Sequence, residues 1–318
     1  MKSQSVTAPS LTKKRYTFFT DILRNRFSYL LILPALLYVL VFSYLSYPYM
    51  IIAFKHFNYK LGVFGSEWCG FKNFEFFLKS TNAPTVIRNT LVLNLLFIVT
   101  GTLTSLVLAI LLNELRSRVF VRTAQTMMLF PHYISWVVVS YILLAIFSNK
   151  NGLANQLLNA LGMKSVSWYT KADAWPTILV WMKIWKSAGM NAVIYLAAIT
   201  GIDESIYESA TIDGANRFQR IVSITVPLIM PTVCIMTLLA VGKIMNGDFG
   251  MIYALVGDQG ILYETTDVID TYVYRVLRQT GDPSQSMAIG LFQSLIGLVM
   301  VVGSNWIVKH TFHEGALF

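Results

Sequence analysis

Two lysines set within an apolar stretch are where this sequence first offers chemistry. The stretch reads Trp181-Met-Lys183-Ile-Trp185-Lys186-Ser-Ala-Gly189-Met-Asn191. Lys183 and Lys186 are three apart and share a helical face, with Trp181 and Trp185, four apart, flanking them. Aromatic faces stack on sugar rings, and polar groups between them bind hydroxyls. A few converging polar groups among aromatics are what a small-ligand site needs. Charge inside an apolar segment is costly and faces a cavity or a partner. Lys243, Asn246 and Asp248 are similar candidates further along. The set that would line a ligand path is therefore Trp181, Lys183, Trp185, Lys186, Asn191, Lys243 and Asp248. Another reading stays open. The lysines would snorkel to an interface, or pair with an acidic group such as Asp248 or with another subunit, and the tryptophans would be interfacial anchors.

Other chemistry is absent from the sequence. No catalytic residues and no metal site are expected: there is no His-Glu-x-x-His, no Gly-x-Ser-x-Gly and no paired Cys motif. His310 and His313 lack a third ligand nearby. Cys69 and Cys234 sit in a polar loop and an apolar run, so no disulfide framework is expected. No Gly-x-x-x-x-Gly-Lys-Ser/Thr loop occurs; Gly242-Lys243 lacks both the upstream glycine and the following hydroxyl. If work is driven by ATP, the nucleotide is held elsewhere. Glu264, Asp267, Asp270 and Asp282 read as a hydrated outer surface rather than catalytic carboxylates.

The elements that carry these residues are membrane helices. Hydrophobic residues make up 55% of the chain and charged ones 13%, against about 25% charged in soluble domains. The apolar residues cluster into runs of the length a helix needs to cross a bilayer. The expected fold class is all-α, a polytopic integral membrane protein with six transmembrane helices, near 29–54, 89–112, 126–147, 175–200, 226–244 and 286–308. The net charge of +9 fits anchoring and orientation of spans and calls for no nucleic acid. Lys2, Lys13, Lys14, Arg15, Arg24 and Arg26 precede the first span, and Arg116, Arg118 and Arg122 follow the second. The positive-inside rule then places both termini in the cytoplasm, although Lys55, Lys60, Lys72 and Lys79 load the first outer loop. About 28 polar and amphipathic residues precede the first apolar run and no small-residue cleavage site follows it, so a signal peptide is not expected. Within residues 1–28, Phe18, Ile22, Phe19, Leu23 and Phe27 form an apolar stripe beside basic residues, the pattern of a helix lying in the membrane interface. Residues 29–318 form the six-span domain.

Between the fourth and fifth spans lies a polar island, about 201–225, on the cytoplasmic side. Asp203 suits an N-cap, Tyr207 and Ala210 share a helical face, and Gly214 permits the left-handed turn that ends a helix. Phe218, Ile221 and Ile224 or Thr225 then resume a helical period before Pro227. The product is a short helix, a glycine turn and a second helix entering the bilayer. Small residues Ser209, Ala210 and Ala215 let another surface approach closely.

This island resembles the coupling helix of the integral-membrane subunits of binding-protein-dependent ABC importers, with a pattern of Glu-Ala-Ala, three residues, Gly, nine residues, Ile, one residue, Leu-Pro. Here Glu208-Ser209-Ala210, Gly214, Ile224 and Val226-Pro227 keep every spacing, with Ser209 and Val226 as departures. Tyr195-Leu-Ala-Ala198, Asp213-Gly-Ala215 and Asp267-Val-Ile-Asp-Thr-Tyr-Val-Tyr-Arg275 are similar to the carbohydrate (maltose-permease-like) branch. Gly70-Phe-Lys-Asn-Phe74, Ala288-Ile-Gly-Leu-Phe-Gln-Ser294 and Gly315-Ala-Leu-Phe318 resemble its complex-oligosaccharide subgroup. The resemblance covers about 28–318 and implies the type I ABC importer permease fold, a bacterial inner-membrane location and alternating access. It implies ATPase docking through Glu208, Ser209, Ala210, Asp213, Gly214 and Arg217. The implied partners are a second permease subunit, two ATP-binding cassette subunits carrying ATP and Mg, an extracytoplasmic solute-binding protein, membrane lipid and the oligosaccharide. This chain itself would hold no cofactor and be no enzyme. The lysines suit an acidic sugar such as an alginate oligosaccharide; a neutral plant oligosaccharide is the alternative. An ion-coupled secondary transporter would want inverted repeats and buried mid-span acids, and a membrane-embedded enzyme a catalytic constellation; neither pattern is readable.

Overall fold

Residues 24–149 and 151–311 are described by the structure, a computed structural model. Most of the interfacial stripe at 15–28, together with His313 and Gly315–Phe318, lies outside them. The chain divides into two compact units, residues 1–51 and 52–318, a division that falls within the expected first span.

In the first unit, α1 (Arg26–Phe42) is apolar for most of its length after Arg26 and contains Pro34. It starts at Arg26. A 3-10 stretch, Tyr44–Phe54, follows.

The second unit is helical apart from one small ladder, β1 (Lys55–His56) antiparallel to β2 (Glu67–Trp68), with Lys55 opposite Trp68. Lys55, expected as a loop charge, is buried; its ammonium donates to the carbonyls of Val63 (3.1 Å) and Phe64 (2.7 Å). Then come α2 (Lys72–Leu78), α3 (Ala83–Glu114), α4 (Arg118–Tyr133), α5 (Trp136–Phe147), α6 (Leu153–Ala160) and α7 (Trp175–Thr200). The order ends with α8 (Glu204–Ile212), α9 (Arg217–Arg220), α10 (Val226–Val241), α11 (Phe249–Val256), α12 (Ile269–Thr280) and α13 (Pro283–Thr311).

Four stretches, 26–54, 83–114, 217–241 and 283–310, are helical, long and apolar enough to cross a bilayer. Helix α7 has 26 residues, about 39 Å at the α-helical rise, and carries Lys183 and Lys186. The expected third span is not one helix: α4 and α5 meet at 96°. Ile134 and Ser135 are both extended at the break, and Ser135 caps a fresh helix by accepting from the Val138 N–H at 3.3 Å. The expected fifth span starts earlier than residue 226, because α9 continues through a π-helical turn, Ile221–Thr225, into α10. Pro227, two residues past that turn, has no N–H to return to the carbonyl of Ser223, which favours the irregular ladder there.

Helix α7 is the central rod. It packs along α3 and carries α4 and α10 on its other sides. Apolar attraction is weak between helices in lipid, so close backbone approach does more of the work. Gly189 shows it: a Cβ there would run into the carbonyl of Met128 on α4. Leu93, Phe97, Val139, Leu143, Trp175 and Leu179 form one core cluster with α11. Ala109, Leu112, Ala192, Tyr195, Ile199 and Ile229 form another, where α7 and α10 adjoin the polar island.

Candidate functional sites: a capped hairpin and a charged cavity

The polar island folds as a hairpin whose turn chemistry is complete. Asp203 accepts from the Ser205 N–H at 3.0 Å and starts α8. That backbone bond holds its exposed carboxyl below the usual aspartate range. Gly214 takes φ +83°, which L side chains disfavour. The Ala215 N–H then returns to the carbonyl of Ala210 at 2.9 Å and closes the helix end. Asn216 starts α9 with a reciprocal capping box: its side chain accepts from the Gln219 N–H at 2.9 Å, and the Gln219 side chain accepts from the Asn216 N–H at 2.8 Å. The Asn-x-x-Gln spacing was a readable signal for this box and was missed.

Two bonds hold the hairpin together. The hydroxyls of Tyr207 and Thr225 lie 2.9 Å apart, and Arg220 donates to the Thr211 hydroxyl at 2.9 Å. Thr225 is buried at the start of α10, so α8 is tied directly to the foot of that helix. Glu208, Ser209, Asp213, Gly214 and Arg217 are exposed and Ala210 is half-buried. Ile212 and Phe218 are apolar and 87% and 73% exposed, on a segment that none of the described residues covers. Tyr207→Phe should weaken the tie to α10 by about 1 kcal/mol, the usual net worth of one hydrogen bond. Faster amide hydrogen exchange in α8, with exchange in α7 unchanged, would register it.

The second site is a cavity of about 460 Å³ between α3, α7, α10 and the non-helical segment that follows α10. That volume is within the range of small-ligand sites. Lys183, Asn191, Lys243, Asn246 and Asp248 line it, with Asn94, Phe97, Thr102 and Tyr195. Asp248 caps α11 by accepting from the Met251 N–H at 3.0 Å, and its other oxygen takes the Lys183 ammonium at 2.7 Å. Of the alternatives open in the sequence, Lys183 follows the acidic-partner one.

The other path candidates lie elsewhere. Lys186 donates to the carbonyls of Pro131 (3.2 Å), His132 (2.9 Å) and Ile134, at and just past the end of α4. A cation there meets carbonyl acceptors of the last turn and the negative end of the helix dipole. Lys186 is thus turned toward the α4–α5 bend and is not in the cavity wall. Trp181 and Trp185 are 64% and 42% exposed and also lie outside the wall; Trp181 sits in an apolar recess with Phe147 and Trp168. One helical face at i and i+3 does not guarantee one destination, because each long side chain turns to its own acceptor.

Amides missed in the sequence shape the cavity floor. Asn94 donates to the carbonyls of Ile244 (2.9 Å) and Asn246 (3.1 Å), and Gln293 to that of Met245 (2.9 Å). Asp270 accepts from the Gly247 N–H at 2.5 Å and from Gln293 at 3.0 Å. These bonds satisfy a non-helical backbone that lines a cavity, the setting in which such backbone is tolerated at membrane depth. An amide inside an apolar span was the available signal. The expected hydrated acidic surface is corrected for two of its residues. Asp270 is built into this network, and Asp267 is 4% exposed and ion-paired with Arg275. Cys69 and Cys234 are free thiols, and no cluster of three metal-binding side chains occurs among the described residues.

Residues 101–312 match the family described as the binding-protein-dependent transport system inner membrane component. Protein LplB of Bacillus subtilis (strain 168) is 36% identical over 309 residues, covering 97% of this chain and 96% of that one. The polygalacturonan/rhamnogalacturonan transport system permease protein YteP of the same organism is 32% identical over 324 residues, 99% of each chain. A chain from the crystal structure of a bacterial ABC transporter involved in the import of the acidic polysaccharide alginate superposes with a TM-score of 0.84 at 33% identity, covering 92% of this chain and 99% of that one. A second crystal structure, of a bacterial alginate ABC transporter in complex with alginate pentasaccharide-bound periplasmic protein, gives the same TM-score at 32% identity, with 92% and 98% covered.

Proposed function

The chain belongs to the inner membrane components of binding-protein-dependent transport systems, and from that premise we propose that it is the permease subunit of an ATP-driven oligosaccharide importer whose substrate carries carboxylates. Its fold is that of a type I ABC importer permease, and it is a multi-pass inner-membrane protein. The observation that carries the reading is the α8–α9 hairpin: capped at both helix starts, tied to α10 through Tyr207 and Thr225, and uncovered on the side that bears Glu208, Asp213 and Arg217.

In this reading both termini are cytoplasmic, and a separate cassette subunit, which binds ATP and Mg, grips the hairpin. A second permease subunit completes the path, with its own cassette subunit. An extracytoplasmic binding protein delivers the sugar. When the cassettes close, the hairpin moves with them. The Tyr207–Thr225 tie and the continuous α9–α10 helix pass that motion to the cavity wall, switching two packings of the spans. The acidic character of the substrate is supported by the names of two relatives, since alginate and polygalacturonan are both polyuronates, and by the excess of one positive charge among the cavity's ionised groups, Lys183, Lys243 and Asp248. The exposed position of Glu208 makes it the informative test. In proteoliposomes holding the whole transporter, Glu208→Ala should leave the permease folded while cutting sugar uptake per ATP hydrolysed severalfold. Unchanged coupling in that variant would remove the docking assignment.

A further inference from the structure

Of the three lysines that the sequence places near the ligand path, two are already committed. Lys183 is neutralised by Asp248 at 2.7 Å, and Lys186 is spent on the carbonyls of α4. The Lys243 ammonium is different. It lines the same cavity, is exposed there, and has no hydrogen-bond or ion-pair partner among the described residues.

The backbone that presents Lys243 is held from several sides. Gly242 lies against α13 so closely that a Cβ would strike Val301, and a Cβ at Gly297 would come within 2.9 Å of the Gly242 carbonyl. Ile244 and Met245, the next two residues, are buried, and their carbonyls are taken by Asn94 and Gln293. The Lys243 N–H itself donates to Ala240 at 3.0 Å. The Lys243 side chain therefore reaches the cavity from a backbone that is held in place on several sides. Beside it, the Asn191 and Asn246 side-chain amides line the cavity with no protein partner of their own among the described residues. Among the described residues the wall thus offers one free cation and two free side-chain amides, a set that matches a carboxylate flanked by sugar hydroxyls.

We propose that Lys243 reads substrate charge: its ammonium pairs with a uronate carboxylate in the cavity, while Asn191 and Asn246 hydrogen-bond neighbouring hydroxyls. The Lys183–Asp248 pair shapes the wall and contributes no net charge to the selection. This assignment rests on the reading of the chain as an acidic-oligosaccharide permease.

The test uses the complete transporter, with its cassette subunits and binding protein, in proteoliposomes. The probes are oligomannuronate and oligogalacturonate of three to five sugars and their carboxyl-reduced neutral counterparts. Lys243→Gln should raise the apparent KM for the transported uronide by about tenfold or more, the usual cost of losing a hydrogen bond to a charged group. Lys243→Arg should restore most of it, and thermal stability should match wild type in both. Any neutral probe that wild type carries should be carried equally by Lys243→Gln. If Lys243→Gln transports the uronide like wild type, or loses uronide and neutral sugar in equal measure, or is not rescued by arginine, the assignment of Lys243 is overturned while the acidic-substrate reading stands. If wild type carries the neutral probes and neither uronide, the acidic-substrate reading itself fails, and the role of Lys243 falls with it.

Discussion

If the α8–α9 hairpin is the cassette-docking element proposed above, replacing Gly214 with valine will disconnect the cassette subunits without unfolding the spans. A Cβ at Gly214 would meet nothing within 4 Å, so the effect comes from the backbone alone. At φ +83° an L residue costs about 1–2 kcal/mol, and a β-branched one is an outlier there. The chain relieves that strain by abandoning the left-handed turn. It then loses the bond from Ala215 to Ala210 and the angle between α8 and α9. A loss of about 2 kcal/mol in the docked geometry lowers occupancy more than about tenfold at subsaturating partner. The expected result is loss of the cassette subunits from the purified assembly, or ATP hydrolysis without uptake. Gly214→Asn, which tolerates the left-handed region, should retain most coupling. Equal behaviour of the valine and asparagine variants would show that the turn conformation is not what docking requires.

Lys186→Met will cost stability, and it will do so regardless of the sugar. Methionine keeps the apolar stem but leaves three carbonyls at the α4–α5 break without the ammonium. A hydrogen bond to a charged group contributes about 1.5–3 kcal/mol, and neighbouring bonds to one ammonium do not add fully, so a loss of about 2–4 kcal/mol is expected. Thermal unfolding of the purified permease complex should fall by several degrees, and uptake of uronide and neutral sugar should fall together. The contrary result, wild-type stability with loss of uronide uptake alone, would make Lys186 a substrate ligand.

The two variants separate what each lysine-rich or glycine-bearing motif does from what its pattern suggests. Gly214 performs the conformational task that the spacing Glu208…Gly214…Pro227 implied, because a positive φ is a local property of the chain. Asp203 likewise caps α8 as its position implied. Lys186 does not follow its pattern. Its sequence neighbours place it on the Lys183 face, but the acceptors it finds lie at and just past the end of α4, more than fifty residues away.

Sequence alone determined that this is an all-α membrane chain with a polar hairpin between two of its helices, because apolar runs, caps and a glycine turn act over a few residues and leave their mark in composition and spacing. It did not place the break within the third apolar run, which depends on Ser135 starting a new helix and on Lys186 arriving from α7 to donate to the carbonyls at the end of α4. Nor did it sort the lysines. Which ammonium is paired, which is consumed by backbone and which stays free was decided by the tertiary structure, because an ion pair is chosen by distance in space, and the partners Asp248, Pro131 and His132 are brought within reach only when α7 packs against its neighbours.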